Sequence, residues 1–449
     1  MPNSVYRKIG EKPDIHVISL PQKTDSAFAD LIIDTKDLEY PHLQNRVLAH
    51  TLEHYLLGRI LPNIKNETKI SGVVKQGYIR LSITTKTKTF IDECKTVLSV
   101  IGAEKFGDEQ TFQYEKESII NETASVLNRP DSLVYDSVAK RIFMSPQCRY
   151  AIQLPDELIK TKKVSLIDIK KYFDGIKTED RVSLFIGIHQ PSSQLEKKIK
   201  DLFNNIALGA DGRTRRSAVD KNEFRLTPKE LQVYTSNKIR SANNASSAYV
   251  ALVYEGYKLP AKIDRTNAAK HMVIGLLCRS IVGQYSNQTY SELRREGIYT
   301  SHFLRQTFPE IGLIVFWSHV PINKIHSYVV ATKNTILKPA RELLPEDLLN
   351  RLKKKFLAET KAEWKNNYYR YEFTTNILLE EETGYSDLKS LLHLADKINP
   401  ETVENVHKEI FYKQKPRVVV ISDAKLPSNA TKEIKSLLNN WFGNNKHTK

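Results

Sequence analysis

Residues 46–60 read RVLAHTLEHYLLGRI, and they set His50, Glu53 and His54 into a run of leucines. Leu43, Val47, Leu48, Leu52, Leu56 and Leu57 recur at helical spacing, which predicts a helix over 42–58. On such a helix His50 and His54 are four residues apart and stack on one face, with Glu53 on the same side. Two neutral imidazoles at that separation can ligate one divalent cation. A carboxylate beside them can hold a water at the metal and take its proton. The order H-x-x-E-H inverts the commoner H-E-x-x-H and keeps its geometry.

A catalytic zinc needs a third protein ligand and an open position. The segment EQTFQYEKESIINETASVLN (109–128) reads as a later helix and carries Glu115 and Glu122, two turns apart on nearly one face with Phe112, Ile119 and Val126. Carboxylates on the buried side of a helix are costly unless paired or bound to metal. Glu122 is therefore the expected third ligand, and Glu115 the carboxylate that orients a histidine behind it. Zinc is the expected ion, although such ligands also suit manganese or cobalt.

Elements on either side must position these groups. The first half opens with strands at Ile15–Leu20 and Ala27–Ile33, then the histidine helix, a strand over Gly72–Thr85 and helices near 89–103 and 109–128. It closes with a helix at VSLIDIKKYF and a strand at 181–190. The second half repeats this order: a strand at 249–256, a helix at 267–283, a strand at 312–317, a helix at 398–411 and a strand at 417–423. Ser165 and Asn399 or Thr402 are expected to cap the two closing helices. The fold class expected is α+β, with two duplicated α/β-sandwich domains. Chance likeness between two α+β halves is the alternative. The domains are placed at 1–208 and 225–449, joined by the polar linker GADGRTRRSAVDKNEF at 209–224. The second-half helix NAAKHMVIGLLCRSIVG has one histidine, His271, and no glutamate, so one half carries the metal chemistry and the other does not.

The chain has 449 residues, 40% hydrophobic and 27% charged, as expected of a multidomain globular protein. No apolar run approaches a membrane span, and the N-terminus lacks the apolar core of a signal peptide, so a cytoplasmic location is expected. Cys94, Cys148 and Cys278 are too scattered for a disulfide framework. The formal charge of +16 comes from Lys and Arg spread among Asp and Glu, with no nucleic-acid-binding signature. It reads as a solvated basic surface, or as a positive cavity that prefers acidic peptides.

The sequence resembles the insulinase–pitrilysin–mitochondrial processing peptidase family of zinc metallopeptidases, the inverzincins. The likeness runs through AHTLEHYLLG, the helix with Glu115 and Glu122, the NRPDSL turn, the VSLIDIKKYF…VSLFIGI unit and YSELRREGIYTSHF (290–303). It implies His50, His54 and Glu122 as zinc ligands, Glu53 as general base and Glu115 as the supporting acid. It further implies that Arg294 and Tyr299 hold the substrate carbonyl and help stabilise the oxyanion. The implied activity is a zinc-dependent endopeptidase that cleaves peptides, or a precursor or leader peptide, in a chamber between the two domains. It implies a homodimer or a heterodimer with a related subunit. The alternative is a non-catalytic, peptide-binding or scaffolding subunit of such a complex. The family also binds peptide along a sheet edge, which would fall at Lys69–Ile83; an ordinary internal strand is the other reading. Trp317, Trp364 and Trp441 are read as packing residues, His189 as structural, and Arg351–Lys355 as a solvated helix face.

Overall fold

The computed structural model describes residues 6–11, 14–35, 42–75, 77–102, 107–127, 129–143, 154–178, 182–204, 225–236, 246–258, 265–285, 287–307, 311–379 and 388–443. The linker expected at 209–224 and Cys148 lie outside the described residues.

The first half forms β1 (Tyr6–Glu11), β2 (Asp14–Ser19), β3 (Ser26–Asp34), α1 (His42–Ile60), β4 (Lys69–Lys75), β5 (Tyr78–Lys86), α2 (Phe90–Gly102) and α3 (Glu109–Leu127). It continues with α4 (Pro130–Ile142), α5 (Leu154–Lys163), α6 (Leu166–Thr178), β6 (Val182–Ile188) and α7 (Ser193–Asn204). The second half forms β7 (Leu231–Thr235), β8 (Ser247–Gly256), α8 (Arg265–Ile281), α9 (Asn287–Arg295), β9 (His302–Thr307) and β10 (Gly312–Pro321). After these come α10 (Ile325–Ile336), α11 (Ala340–Leu343), α12 (Glu346–Glu363), α13 (Asn367–Leu378), α14 (Leu388–Asp396), α15 (Pro400–His407), β11 (Arg417–Ser422) and α16 (Ser428–Asn439).

The strands make two sheets, ordered β1-β2-β6-β3-β5-β4 and β7-β11-β8-β10-β9. Apart from β1, the second order repeats the first. In each, the closing strand pairs parallel with the opening one (β6 with β2, β11 with β7) and antiparallel with the long central strand (β3 or β8). The α+β class and the two related α/β layers expected from the sequence are thus present.

The residues cluster into two compact units. The first holds residues 1–132, 147–220 and 362–379, and the second holds 133–146, 221–361 and 380–449. In the first unit one face of the sheet, with Leu31, Ile33, Leu81, Ile83, Leu184 and Ile186, packs on Leu48, Leu52 and Leu56 of α1 and on Ile169 and Phe173 of α6. The other face packs Phe28, Ile32 and Phe185 against Tyr371 of α13. A Cβ on Gly187 would come within 2.4 Å of the Tyr371 ring, so the glycine lets that ring lie on β6. Beside it the buried Asp30 accepts from Arg80 at 2.6 Å and from Ser82 at 2.5 Å. In the second unit, the end of α4 meets β7 and the residues before it: Ile142 accepts from the Thr227 amide at 2.7 Å, and the Arg141 guanidinium sits 3.6 Å from the Tyr234 ring centre.

Local signals account for several boundaries. Ser165 and Asp168 cap α6 reciprocally, with Ser165 N–H donating to Asp168 at 2.9 Å. Asn399 accepts from the Thr402 amide at 2.8 Å and caps α15. Trp317, Trp364 and Trp441 are buried, Cys94 and Cys278 are buried free thiols, and His189 Nδ1 lies 3.0 Å from the Leu20 carbonyl oxygen. One reading is corrected. The single strand expected over Gly72–Thr85 is a hairpin, because Gly77 adopts φ 89° and turns the chain so that Lys75 pairs with Tyr78. Lys69–Lys75 is then the edge strand, whereas Ile79–Ile83 lies inside the sheet between β3 and β4.

Candidate metal centre

Helix α1 is buried on most of its sides, from Val47 to Ile60. A helix so enclosed places any polar side chain either against a partner or into a site. Its neighbour α3 starts at Asp108, which accepts from the Thr111 amide at 3.0 Å, while the Asp108 amide donates to Tyr55 of α1 at 3.3 Å. That cap fixes α3 alongside α1, with Phe112 edge-on to Tyr55.

On α1 itself, His50, Glu53 and His54 each present a donor atom, all within 4.8 Å of one another. The two imidazoles meet edge to face, centroids 4.9 Å apart. From α3, Glu122 brings one oxygen, Oε2, to 3.2 Å from His54 Nε2 and 3.8 Å from His50 Nε2. Tetrahedral ligands at zinc bond lengths stand about 3.3 Å apart. One oxygen at 3.2 and 3.8 Å from the two Nε2 atoms lies near enough to that spacing for the three groups to hold a divalent cation between them. Behind it, His54 Nδ1 lies 3.3 Å from Glu115 Oε2. With the proton on Nδ1 donated to that carboxylate, the Nε2 lone pair faces the cluster. The residues present therefore fit the metal by both donor chemistry and spacing.

Electrostatics favour the unprotonated ligand. Burial first, then the adjoining His54 and Arg46, push the His50 pKa down to about 4, against an upward pull from Glu122. Glu53 is held the other way: burial pushes its carboxyl up to about 7, with Glu122 and Glu115 adding to the rise and His54 opposing it.

Two glycines shape this cluster, and their role is visible only in three dimensions. A Cβ on Gly72 of β4 would stand 1.9 Å from Glu53 Oε1, and one on Gly58 of α1 would stand 2.6 Å from Glu115 Oε1. A glycine within the leucine-rich helix, and another in the middle of an edge strand, were the signals available. The structure also modifies one expectation. Glu122 is not on the buried side of α3: its side chain is 53% exposed, because the helix buries Phe112, Ile119 and Thr123 and leaves Glu122 at the rim. A cavity of about 550 Å³ lies against the strands as well, lined by Phe28, Asp30, Ser71, Ser82 and Tyr368, and none of the cluster residues lines it.

Arg294 and Tyr299 belong to the second unit. Arg294 lies in the last turn of α9, Gly297 turns the chain at φ 75°, and Tyr299 follows with its ring 5.6 Å from the guanidinium carbon. Both are exposed.

The chain resembles solved peptidase structures over nearly its full length. A protease from Helicobacter pylori superposes with TM-score 0.70 at 13% identity, covering 93% of this chain and 98% of that one. A protein described as an M16-like peptidase from Alicyclobacillus acidocaldarius matches with TM-score 0.67 at 11% identity, over 93% of this chain and 97% of that one. The chain has the M16-like fold. A conserved protein from Enterococcus faecalis V583 gives TM-score 0.67 at 11% identity, over 95% and 100%. No family model matches the sequence, and no curated protein does. At these identities the M16-like likeness is one of fold. Among the described residues no helix is long and apolar enough to cross a membrane.

Proposed function

We propose that the chain is a zinc-dependent endopeptidase, with His50, His54 and Glu122 as metal ligands. The observation that carries this reading is the convergence of Glu122 Oε2 on both imidazole Nε2 atoms, with Glu115 behind His54. Zinc, when bound, supplies Lewis-acid stabilisation of negative charge and lowers the pKa of water.

The chain's own residues do the rest. Glu53 is buried beside His54, and its raised pKa suits a group that accepts a proton and returns it near neutrality. It takes the proton of the attacking water as the C–O bond forms at the scissile carbonyl. It then delivers that proton to the leaving nitrogen as the C–N bond breaks. Glu115 holds His54 in one orientation and tautomer. Backbone groups along the outer edge of β4 are suited to pair with an extended peptide, and Gly72 of that strand touches Glu53. Arg294 and Tyr299 are proposed to stabilise charge on the carbonyl oxygen. Cleavage of short peptides and trimming of a precursor or leader peptide both suit this chemistry. Assembly as a homodimer or with a related subunit is proposed with it, and sedimentation of the purified chain decides it.

The test is turnover of an internally quenched peptide library together with zinc content by mass spectrometry. Stoichiometric zinc with cleavage that Glu53→Gln abolishes supports the reading. A wild-type chain that binds peptide and cuts none, even with zinc added, is instead the non-catalytic subunit.

A further inference from the structure

Arg46 lies four residues before His50 on α1, one turn away on the same face. Its Nε donates to Glu157 Oε1 of α5. The two partners differ in setting: the Glu157 side chain is 7% exposed, and that of Arg46 is 47% exposed. Glu157 is thus a buried anchor and Arg46 the outward part of the pair. A guanidinium has five N–H donors in a fixed fork, and the contact with Glu157 is made through Nε alone.

The charges around it give this cation a use. Glu53, Glu115 and Glu122 gather around the imidazoles, and each repels an incoming carboxylate. Arg46 places a positive charge one turn to the N-terminal side of His50. An ion pair serving only to join α1 to α5 could be met by any cation. A planar fork fixed at its Nε by a buried carboxylate is instead pre-organised for a second, outer carboxylate.

We propose that Arg46, braced by Glu157, recognises a carboxylate on the peptide beside the scissile bond and so selects acidic peptides. The proposal rests on the peptidase reading for its site and specifies the substrate class there. The carboxylate comes from an Asp or Glu side chain or from a free C-terminus. The net charge of +16 draws such peptides in from a distance. One charge-assisted hydrogen bond at a partly exposed site gives a preference of about tenfold.

The test measures binding, so that it stands apart from turnover. Fluorescein-labelled decapeptides of one sequence carry Asp or Asn at single positions, with the C-terminus free or amidated. Anisotropy gives Kd for the zinc-loaded Glu53→Gln chain, alone and with Arg46→Gln or Arg46→Lys added. The expected result is an acid-over-neutral preference of about tenfold that Arg46→Gln reduces to about one and Arg46→Lys partly keeps. Preference at an Asp position identifies a side chain, and preference confined to the free C-terminus identifies the terminal carboxylate. Thermal melts show that each variant is folded. No preference, no binding of any peptide, or a preference that Arg46→Gln leaves intact overturns the proposal. Failure of the peptidase reading shows separately, as absent turnover in the wild type.

Discussion

Helices α1 and α8 occupy matching places in the two sheets, each following the long central strand and facing the edge strand. At α1 the helix brings the charged group and the strand brings the glycine: Glu53 lies over Gly72 of β4. At α8 the arrangement is reversed: Arg305 of β9 lies over Gly275 of the helix, 3.5 Å from where a Cβ would be, and donates to the His271 carbonyl. His271 directs its Nε2 to the Lys258 carbonyl oxygen, 3.2 Å away. One topology thus holds, in one unit, a cluster of groups spaced so that they could hold a metal ion, and in the other a closed polar contact. The duplicated sheet provides a place beside a helix; the residues on that helix decide whether it becomes a site.

Four substitutions test this contrast, in order of decreasing effect. Glu53→Gln keeps the shape of the side chain and removes its basicity. Peptide turnover should fall by about 10³-fold or more, with zinc content unchanged. Unchanged turnover would remove Glu53 from the chemistry. Gly72→Ala puts a methyl group 1.9 Å from Glu53 Oε1, so the carboxylate or the edge strand must shift. About 10²-fold loss of turnover is expected from a displacement of about 1 Å, read alongside an unchanged circular dichroism spectrum. Glu115→Gln should weaken zinc binding by about 10-fold to 100-fold, measured by competition with a chelating dye. Gly275→Ala is the matched control in the second unit. The neighbouring atom is the far end of a flexible arginine, so turnover and zinc affinity should change less than about twofold. A loss there as large as that of Gly72→Ala would show that the two units do not differ as described.

The buried pair of Asp30 and Arg80 marks a further difference between the sheets. β3 carries Asp30 inside the first sheet, whereas β8 runs through Ala248–Tyr254 with no charged residue. Asp30→Ala should destabilise the first unit by about 3 kcal/mol, because Arg80 is left buried without its partner. Urea unfolding followed by a probe in that unit checks it.

What the sequence determined by itself was local. Leucines at helical spacing, alternating strands and the caps at Ser165 and Asn399 specify elements, since each depends on residues a few positions apart. The pairing of His50, Glu53 and His54 belongs to the same class, because three residues within five positions of one helix fix their own geometry. What only the tertiary structure decided was distance across the fold. The approach of Glu122 to both imidazoles, its exposure at the rim, and the fit of Gly72 under Glu53 arise from how α3 and β4 dock on α1. The hairpin at Gly77 needed a left-handed φ that a run of strand-forming residues conceals. The anchoring of Arg46 by Glu157, 111 positions away, depends on helix packing that neighbouring residues do not encode.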